Sequence, residues 1–479
     1  MKLNAQVLSR DEQERIHAEC LRILSEVGVK FLGERALPIL KKSGARVDEE
    51  SRVARLPPEM VAEALRSAPK AFVLGARNPA YDFPLPSPVT RYCIDGTASF
   101  VMDFASGERR YGTKADIRDS LRIFQQMDLG VMAWAPTCAS EAPAESRALH
   151  EFFTTIRFSS KHVEHELHFT NQVPYLIAGL TAVMGSETAV RERPAFSLIY
   201  CPVAPLMHDG QMLDTYLELG QLNLPVQIMP MPATGTTGPA SLFGTITQAA
   251  AEALSAIVIF QMAHPGRPLI FSNATATVDL RSGMYLGGSP EMGLMAAALT
   301  QMGRFYDLPT GAAGCTADAR QPGPEAILEK LVTTLPPACA GADIITGYGE
   351  MESDQLLVLE QIVVDNELAH TCERLSRGVD SSPAKDLYAD IAQVGPGGNY
   401  LKSKSTRLAA RSEEFFYPAL ADRHTFESWN ELGRPGMYSK ARENVAAILA
   451  GPLVDPLPES VERELDEILA AADQELAKG

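Results

Sequence analysis

The chain has 479 residues, of which 46% are hydrophobic and 22% are charged, so it contains enough apolar material for a large buried core. Its net charge of −17 opposes nucleic-acid binding, which depends on Lys and Arg side chains neutralising phosphates. The seven cysteines occur singly, so neither a disulfide framework nor a structural zinc site is indicated. Because no apolar run is long enough for a membrane span and the first residues lack a secretory signal, we expect a cytoplasmic globular protein with no membrane partner.

The first 90 residues carry two helical patterns. Apolar residues recur at helical spacing in DEQERIHAECLRILSEVGV, and prolines precede a second such pattern in PPEMVAEALRSAP. A proline-rich stretch, NPAYDFPLPSPV, follows them. The sequence therefore predicts a helical N-terminal segment over residues 1–90, packed on the outside of the following domain.

Short apolar or β-branched runs alternate with longer helical runs along the rest of the chain. One run lies around residues 91–103, and seven follow: GVMAWAPT, SSKHVEHE, AFSLIYCPVAPL, LPVQIMPMPATG, RPLIFSNATAT, LPTGAAGCTAD and GADIITGYGEM. Strands that are apolar throughout and alternate with helices indicate a parallel sheet, and eight such units predict an α/β fold of the (β/α)₈ TIM barrel type over residues 91–450. Residues 451–479 are predicted as a C-terminal helix. An open, doubly wound sheet is the alternative, although no G-x-G-x-x-G follows an early strand.

The loop PMPATGTTGPASLFG, residues 230–244, separates a predicted strand from a predicted helix. In a barrel this loop lies at the carboxyl-terminal face, where glycines let the backbone turn sharply and approach a ligand. A nucleotide-binding phosphate loop requires a lysine after its second glycine, and Pro239 stands there instead. The loop therefore favours contact with some other ligand.

The sequence offers only weak candidate residues for a metal site and for a nucleophilic thiol. In the strand KHVEHELH, His162, Glu164 and Glu166 share one face and His165 lies on the other, so the imidazoles do not converge and we predict no metal site. For a nucleophilic thiol, Cys315 is the best placed and Cys201 is the next, although small residues at these positions also suit close packing.

Aromatic and acidic residues recur at the ends of the predicted strands. They are Trp134, Tyr200, Phe271 and Tyr348, with Glu350 and Glu352 beyond the last strand. Ring faces and carboxylates together bind quaternary ammonium groups, whereas packing inside the barrel is the alternative role for each ring.

Several segments together resemble the trimethylamine methyltransferase family, in its branch without pyrrolysine that includes glycine betaine:corrinoid methyltransferases. They are HAECLRILSEVGVKF, GTASFVMDFASGERRYGTKAD, CPVAPL, the stretch from PMPATGTTG to RPLIF, GGSPEMGLMAAALTQMGRFYDLP and VGPGGNYL. The resemblance implies a (β/α)₈ barrel that passes a methyl group from a methylated amine to the cobalt of a corrinoid protein. The cobalamin is then carried by that partner and is not bound tightly by this chain.

Two departures from the family pattern, and the absence of a corrinoid-binding pattern, refine this implication. The family's trimethylamine-specific members carry pyrrolysine in the loop after the seventh strand, and here Cys315–Ala319 are ordinary residues. Where relatives often have a histidine before a threonine, this chain has Ser405 and Thr406. The corrinoid-binding pattern D-x-H-x-x-G is matched only by Asp422–Glu427, which lacks the glycine. The resemblance therefore implies a quaternary amine, glycine betaine or a related betaine, as the methyl donor. Trimethylamine or another methylamine as donor, and a barrel that binds a betaine or corrinoid without turnover, stay open as alternatives.

The predicted site lies at the mouth formed by the loops after the strands. No catalytic side chain is singled out, because an amine that leaves a quaternary nitrogen is neutral and needs no general acid. We also expect a homo-oligomer and no metal ion. The substrate-binding residues are predicted to be Trp134, His162, Tyr200, Asn273, Cys315, Tyr348 and Glu350, and the residues that contact the corrinoid to be Gly235, Thr236 and Thr237.

Overall fold

A computed structural model describes residues 3–477, and eight parallel strands form its centre. Each strand pairs with the next one along the chain, and β8 pairs with β1. A backbone bridge between Phe271 and Thr310 joins β6 to β7 and closes the ring. The predicted barrel is thereby confirmed, and the open sheet is excluded. The strands are β1 (Arg91–Ile94), β2 (Gly130–Ala133), β3 (His162–His165), β4 (Phe196–Tyr200), β5 (Val226–Ile228), β6 (Leu269–Phe271), β7 (Gly311–Ala313) and β8 (Ile344–Tyr348).

One long helix follows each strand, as the alternating pattern predicts. The helices are α1 (Lys114–Gln125), α2 (Arg147–Phe158), α3 (Val173–Met184), α4 (Gly210–Leu219), α5 (Leu242–Ala263), α6 (Pro290–Phe305), α7 (Pro324–Ala340) and α8 (Leu359–Arg377). A short helix, Glu187–Glu192, follows α3. Because every helix in a barrel begins at the carboxyl end of the strand before it, the helix N-termini surround the mouth.

Helix α5 is the long alanine-rich helix after the GTTG loop. Ser241 caps its first turn by accepting a hydrogen bond from the amide of Gly244. Of the described helices it alone is long and apolar enough to cross a membrane, but 78% of its apolar stretch is buried inside the protein. Burial on every side explains its all-round apolar surface.

The N-terminal segment contains three helices and a small sheet. The helices are Arg10–Arg22, Ala36–Lys42 and Pro58–Ser67, and a π-helical turn, Ile23–Val27, extends the first of them. The strands Val29–Phe31, Arg46–Asp48 and Val53–Arg55 form a sheet with Met207–His208, which comes from the loop after β4, and Phe72–Leu74 pairs with Phe83–Leu85. These strands are too short to show a period of two, so the prediction of a purely helical segment missed them. The first and third of these helices pack against α5.

The chain after α8 consists of short helices and turns and then two longer helices. They are Tyr388–Val394, Lys404–Ala409, Phe426–Glu431, Met437–Ala450 and Glu459–Leu476. The last helix packs against α3, where Tyr175 donates its hydroxyl to Glu475 over 2.5 Å. The division into units at residues 90 and 450 stays a prediction.

Two small sheets connect the loops at the mouth. The first joins the β1 and β8 loops through strands Phe100–Met102, Arg109–Tyr111, Glu350–Met351 and Leu356–Leu357. The second joins the β5 and β6 loops through strands Ala233–Thr234, Ala276–Val278 and Tyr285–Leu286. Backbone pairing therefore fixes the loops whose side chains surround the barrel opening.

Candidate active site

Carboxylic acids converge on the carboxyl end of the barrel. Asp95 follows β1, Glu350 follows β8, and Asp354 lies four residues further along the β8 loop. Burial raises the pKa of Glu350 well above its usual range, and the nearby charges of Asp95 and Asp354 raise it further. Glu164 and Glu166 complete the set from β3 and its loop. These five residues, which we call the acid cluster, form a site that attracts positive charge.

Glu350 is the least compensated member of the acid cluster. Its side chain is 0% exposed, and neither carboxyl oxygen has a hydrogen-bond partner among residues 3–477. Buried polar groups are almost always hydrogen-bonded, so an uncompensated carboxyl group at the end of a barrel strand requires an explanation. A bound cation provides one, because it would satisfy the ionised form of this group.

Asp354 of the β8 loop and Asp95 of the β1 loop lie within electrostatic range of each other. Burial raises the pKa of Asp354 to about 6. It raises the pKa of Asp95 well above the usual range, with a further contribution from the charge of Asp354. Asp354 ends a run of three left-handed residues with φ between 53° and 64°, and Ser353 in this run donates a 2.6 Å hydrogen bond to Asp318. That bond ties the β8 loop to the β7 loop.

Glu164 belongs to a hydrogen-bonded chain deeper in the barrel. His162 Nδ1 lies 2.6 Å from the Gly75 carbonyl oxygen and must donate to it, so in the neutral ring Nε2 accepts from Ser197 Oγ, 2.9 Å away. Ser197 Oγ also lies 3.2 Å from Glu164 Oε2, so this hydroxyl links the imidazole to the carboxyl group. Burial raises the pKa of Glu164 to about 8 and lowers that of His162 to about 4, which favours the neutral form of both groups.

Trp134 provides an aromatic surface beside the acids. It follows β2, is 4% exposed, and its indole Nε1 has no hydrogen-bond partner in the described chain. The ring lies directly over Gly96, where an added Cβ would be 2.4 Å from ring atoms. Glycine at residue 96 therefore allows the indole to lie between the β1 and β2 loops. An aromatic face beside carboxylates suits an ammonium group.

A buried ion pair supports the β7 and β8 strand ends behind Glu350. Lys330 Nζ lies 2.9 Å from Asp365 Oδ2, and both side chains are fully buried. The same ammonium donates to the carbonyl oxygens of Cys315 and Gly347, over 2.5 and 3.1 Å. Asp365 also accepts a 2.8 Å hydrogen bond from the amide of Gly349, the residue before Glu350. The pair therefore fixes the backbone from which Glu350 projects.

Three of the predicted substrate-binding residues lie at the mouth. They are Trp134, Glu350 and Asn273, which is buried after β6. Asn273 Nδ2 makes a long contact of 3.5 Å with the Gly311 carbonyl oxygen, and its Oδ1 has no partner among the described residues. That these three residues contact the substrate stays a prediction.

Tyr200 and Tyr348 point away from the barrel interior, which corrects their predicted place at the mouth. The ring of Tyr348 stacks on Tyr92 at 5.1 Å and meets Phe124 of α1 edge-on at 5.9 Å. Tyr200 donates its hydroxyl to His208 Nδ1 over 2.7 Å and packs against Phe260 of α5. Side chains alternate along a strand, and a register shift between Thr346 and Tyr348 further alters the direction in β8.

His162 and Cys315 also lie away from the candidate site. His162 is the first residue of β3, at the end of the barrel opposite the mouth, and both of its ring nitrogens are hydrogen-bonded. Cys315 follows β7, but its thiol is fully buried beside Thr334 of α7, and burial raises its pKa well above the usual range. A strand-end position in the sequence does not distinguish the barrel side from the helix side.

The GTTG loop forms a tight turn on the rim. The amides of Gly235, Thr236 and Gly238 donate to carbonyl oxygens within the loop, and Thr237 Oγ1 accepts from the amide of Ala233. Thr236 and Thr237 are exposed to solvent. With these amides paired, the geometry gives no support to the predicted corrinoid contact at Gly235, Thr236 and Thr237.

Two thiols near the acid cluster, Cys138 and Cys201, are not activated. Burial raises the pKa of Cys138 to about 11 and that of Cys201 further, and Glu166 adds to both shifts. Thiolate nucleophiles need the opposite environment. Among residues 3–477 no group of three or more His, Cys, Asp or Glu side chains has the arrangement of a metal site.

The chain matches the family model described as "Trimethylamine methyltransferase (MTTB)" over residues 2–477. It belongs to the trimethylamine methyltransferase family. Trimethylamine methyltransferase MttB of Methanosarcina thermophila is 31% identical to it over 96% of each chain, and MttB2 of Methanosarcina mazei is 30% identical over 99% of this chain and 96% of that one. Glycine betaine methyltransferase of Desulfitobacterium hafniense is 27% identical over 98% of each chain.

A solved structure supports the fold of this family member. The monomethylamine methyltransferase MtmB of Methanosarcina barkeri superposes with a TM-score of 0.51 at 12% identity, covering all of this chain and 90% of that one. The family-model match confirms the family resemblance found in the sequence, and this trimethylamine methyltransferase family member is a methyltransferase.

Sequence reasoning missed several residues of the mouth. Asp95 follows the apolar run RYCI directly, and a lone acid after a buried strand was an available signal. No sequence signal identified Asp354 or the Lys330–Asp365 pair, because their roles depend on contacts between separate loops and helices.

Proposed function

We propose that this protein moves a methyl group from a quaternary ammonium compound to the Co(I) of a corrinoid carried by a separate protein. The observation that carries the proposal is the buried, uncompensated Glu350 at the barrel end that also carries Trp134 and the rest of the acid cluster. The names of the relatives, which include trimethylamine and glycine betaine methyltransferases, support a methylated amine. We place the reaction in the cytoplasm, as expected from the sequence.

A permanent cation suits this site for an electrostatic reason. Burial raises the pKa of Glu350 and of Asp95 well above the usual range and so favours their protonated forms, whereas Asp354, with a pKa raised to about 6, is largely ionised near neutral pH. A quaternary ammonium group has no proton to exchange, so it stabilises the ionised carboxylates only through its charge. The ordinary residues Cys315–Ala319 in the β7 loop also favour a quaternary donor over trimethylamine, given the family pattern described above.

The transfer breaks the bond between the methyl carbon and nitrogen, and the bonding electron pair stays on the nitrogen, which leaves as a neutral tertiary amine. The Co(I) corrinoid, when docked, supplies the electron pair for the new bond to the methyl carbon. Trp134 and Glu350 would hold and orient the ammonium group, and the closed barrel wall would exclude water behind it. No side chain has to donate a proton.

The nearest match to the corrinoid-binding pattern does not form a corrinoid site. His424, in the nearest match to the corrinoid-binding pattern, is exposed, and its Nδ1 lies 2.9 Å from Asp422. The mouth is accessible instead, because Gly96, Thr97, Cys201 and Tyr285 are each partly exposed at its rim. A cofactor delivered by a partner would reach the donor through this opening.

A spectroscopic assay tests the proposal. Purified protein is mixed with cob(I)alamin and with a panel that contains tetramethylammonium, choline, glycine betaine and trimethylamine, and cobalt methylation is followed by absorbance. We expect methylation with at least one quaternary compound and none with trimethylamine. Glu350→Gln should lower kcat/KM at least about tenfold, as expected for loss of a buried charge contact. Glu352→Gln is the matched control, because Glu352 lies two residues away but pairs with Arg109 at the surface.

Each other outcome favours one of the remaining alternatives. Methylation with trimethylamine alone would overturn the quaternary donor. Tight binding of tetramethylammonium without transfer to any cobalt acceptor, including a purified corrinoid protein, would favour the barrel that binds without turnover.

A further inference from the structure

Arg147 is an unpaired guanidinium at the rim of the mouth. It is the first residue of α2, so it lies where that helix begins after the β2 loop. Its Nε is buried and has no acceptor, and no carboxylate lies within ion-pair distance of the guanidinium among residues 3–477. The nearest acid along the helix, Glu151, is occupied by the amide of Ala139 at 2.8 Å and by His165 Nε2 at 3.4 Å. A partly buried, unpaired arginine calls for an anionic partner from elsewhere.

The surroundings of Cys138 connect Arg147 to the acid cluster. Cys138 Sγ lies 3.4 Å from the Thr97 carbonyl oxygen, and the Thr97 hydroxyl lies 3.5 Å from Glu166 Oε1. Burial is the main cause of the raised pKa of Cys138. Arg147 acts on this thiol to lower its pKa, whereas Glu166 and Glu350 act to raise it. The guanidinium and the carboxylates therefore all lie within electrostatic range of Cys138.

We infer that Arg147 is the specificity residue that binds the anionic arm of a zwitterionic methyl donor, while Glu350 and Trp134 hold its ammonium end. The inference rests on the proposed function. It narrows the donor class to compounds with a quaternary ammonium and a carboxylate separated by a short spacer, of which glycine betaine is the smallest.

The charge balance of the mouth explains why such a residue is needed. The acid cluster attracts the ammonium group but repels a carboxylate on the same molecule. Lys330, another cation near the cluster, is already bound to Asp365 and to two carbonyl oxygens. The planar guanidinium of Arg147 presents donors that match a carboxylate in a bidentate arrangement.

Ligand binding by isothermal titration calorimetry tests the inference with the purified full-length protein. The ligands are glycine betaine, choline and tetramethylammonium, and the variants are Arg147→Gln, Arg147→Lys and Arg320→Gln. Arg320 is the matched control, because it is an exposed arginine in the β7 loop at the same end of the barrel. Thermal unfolding of each variant verifies its fold.

We expect Arg147→Gln to weaken glycine betaine binding about 10- to 100-fold while tetramethylammonium binding changes less than about twofold. Arg147→Lys should retain part of the betaine affinity, and Arg320→Gln all of it. Equal losses for betaine and tetramethylammonium, or no loss for either, would overturn the role of Arg147. Wild-type protein that binds tetramethylammonium but not betaine would also overturn it, yet leave the proposed function standing. Wild-type protein that binds no quaternary ammonium compound would overturn both.

Discussion

The indole of Trp134 lies so close over Gly96 that a Cβ on this glycine would be 2.4–2.5 Å from three ring atoms. Neither residue is near the other in sequence, and each follows a different barrel strand. Their contact places an aromatic face next to Asp95, whose carboxyl accepts a 2.9 Å hydrogen bond from the Gly96 amide. The position of the Trp134 indole in the site therefore requires glycine at residue 96.

Gly96→Ala should weaken tetramethylammonium binding about 3- to 30-fold, because the methyl group displaces the indole from the cation and a cation–π contact contributes about 0.5–2 kcal/mol. Calorimetric titration measures the change. Gly323→Ala is the control, since a Cβ there has no neighbour within 4 Å and its backbone is extended. Equal affinities for Gly96→Ala and wild type would show that the ring does not contact the ligand.

The affinity for tetramethylammonium should rise with pH up to about 8, with the contribution of Asp354 complete near pH 6 and that of Glu164 near pH 8. The pKa of Asp354 is raised to about 6 and that of Glu164 to about 8, mainly by burial. A bound cation favours the ionised carboxylates, so binding releases protons and becomes stronger as pH rises, by at most about tenfold per pH unit for each proton released. Titrations in several buffers measure both the affinity and the proton release. Affinity that is flat across this range would contradict ligand contact with these acids.

Without ligand, the stability of the fold should fall as pH rises from about 4.5 to about 8. The pKa of Glu164 is raised in the folded protein from 4.5 to about 8, so the unfolded chain ionises first and the stabilisation present below pH 4.5 is lost through this interval. Glu164→Gln should flatten this part of the profile, whereas Glu352→Gln at the surface should not. Urea midpoints at each pH provide the measurement, and an identical slope for Glu164→Gln would refute the assignment.

Lys330→Met should destabilise the protein by about 3–5 kcal/mol, because it leaves Asp365 charged and buried without its partner. The double variant Lys330→Met with Asp365→Leu should recover much of this loss, since no uncompensated charge remains. Urea denaturation compares the variants. A single variant as stable as wild type would show that the ion pair does not fix the β7 and β8 ends.

Tyr348→Leu should lower stability by about 1–3 kcal/mol but leave tetramethylammonium affinity unchanged, because the ring packs between Tyr92 and Phe124 outside the barrel. Tyr348→Phe should cost less, as only a long 3.4 Å contact with Asn366 is lost. Trp134→Leu provides the contrast, since it should weaken binding. If Tyr348→Leu lost affinity for tetramethylammonium without losing stability, the ring of Tyr348 would have to contact the ligand.

The sequence by itself determined the barrel, because eight apolar runs that alternate with helices admit few other arrangements. It also determined the family, through motifs that extend along most of the chain. At the site it identified Trp134, Glu350 and Asn273 as strand-end residues, since every strand of a parallel barrel ends at the same face.

Only the tertiary structure decided which strand-end side chains face inward. Tyr200, Tyr348 and Cys315 turn toward the helices because alternation along a strand and a register shift in β8 set their directions. The acid cluster likewise became visible only in three dimensions, because Asp95, Glu164 and Asp354 come from separate segments and meet only when the ring of strands closes.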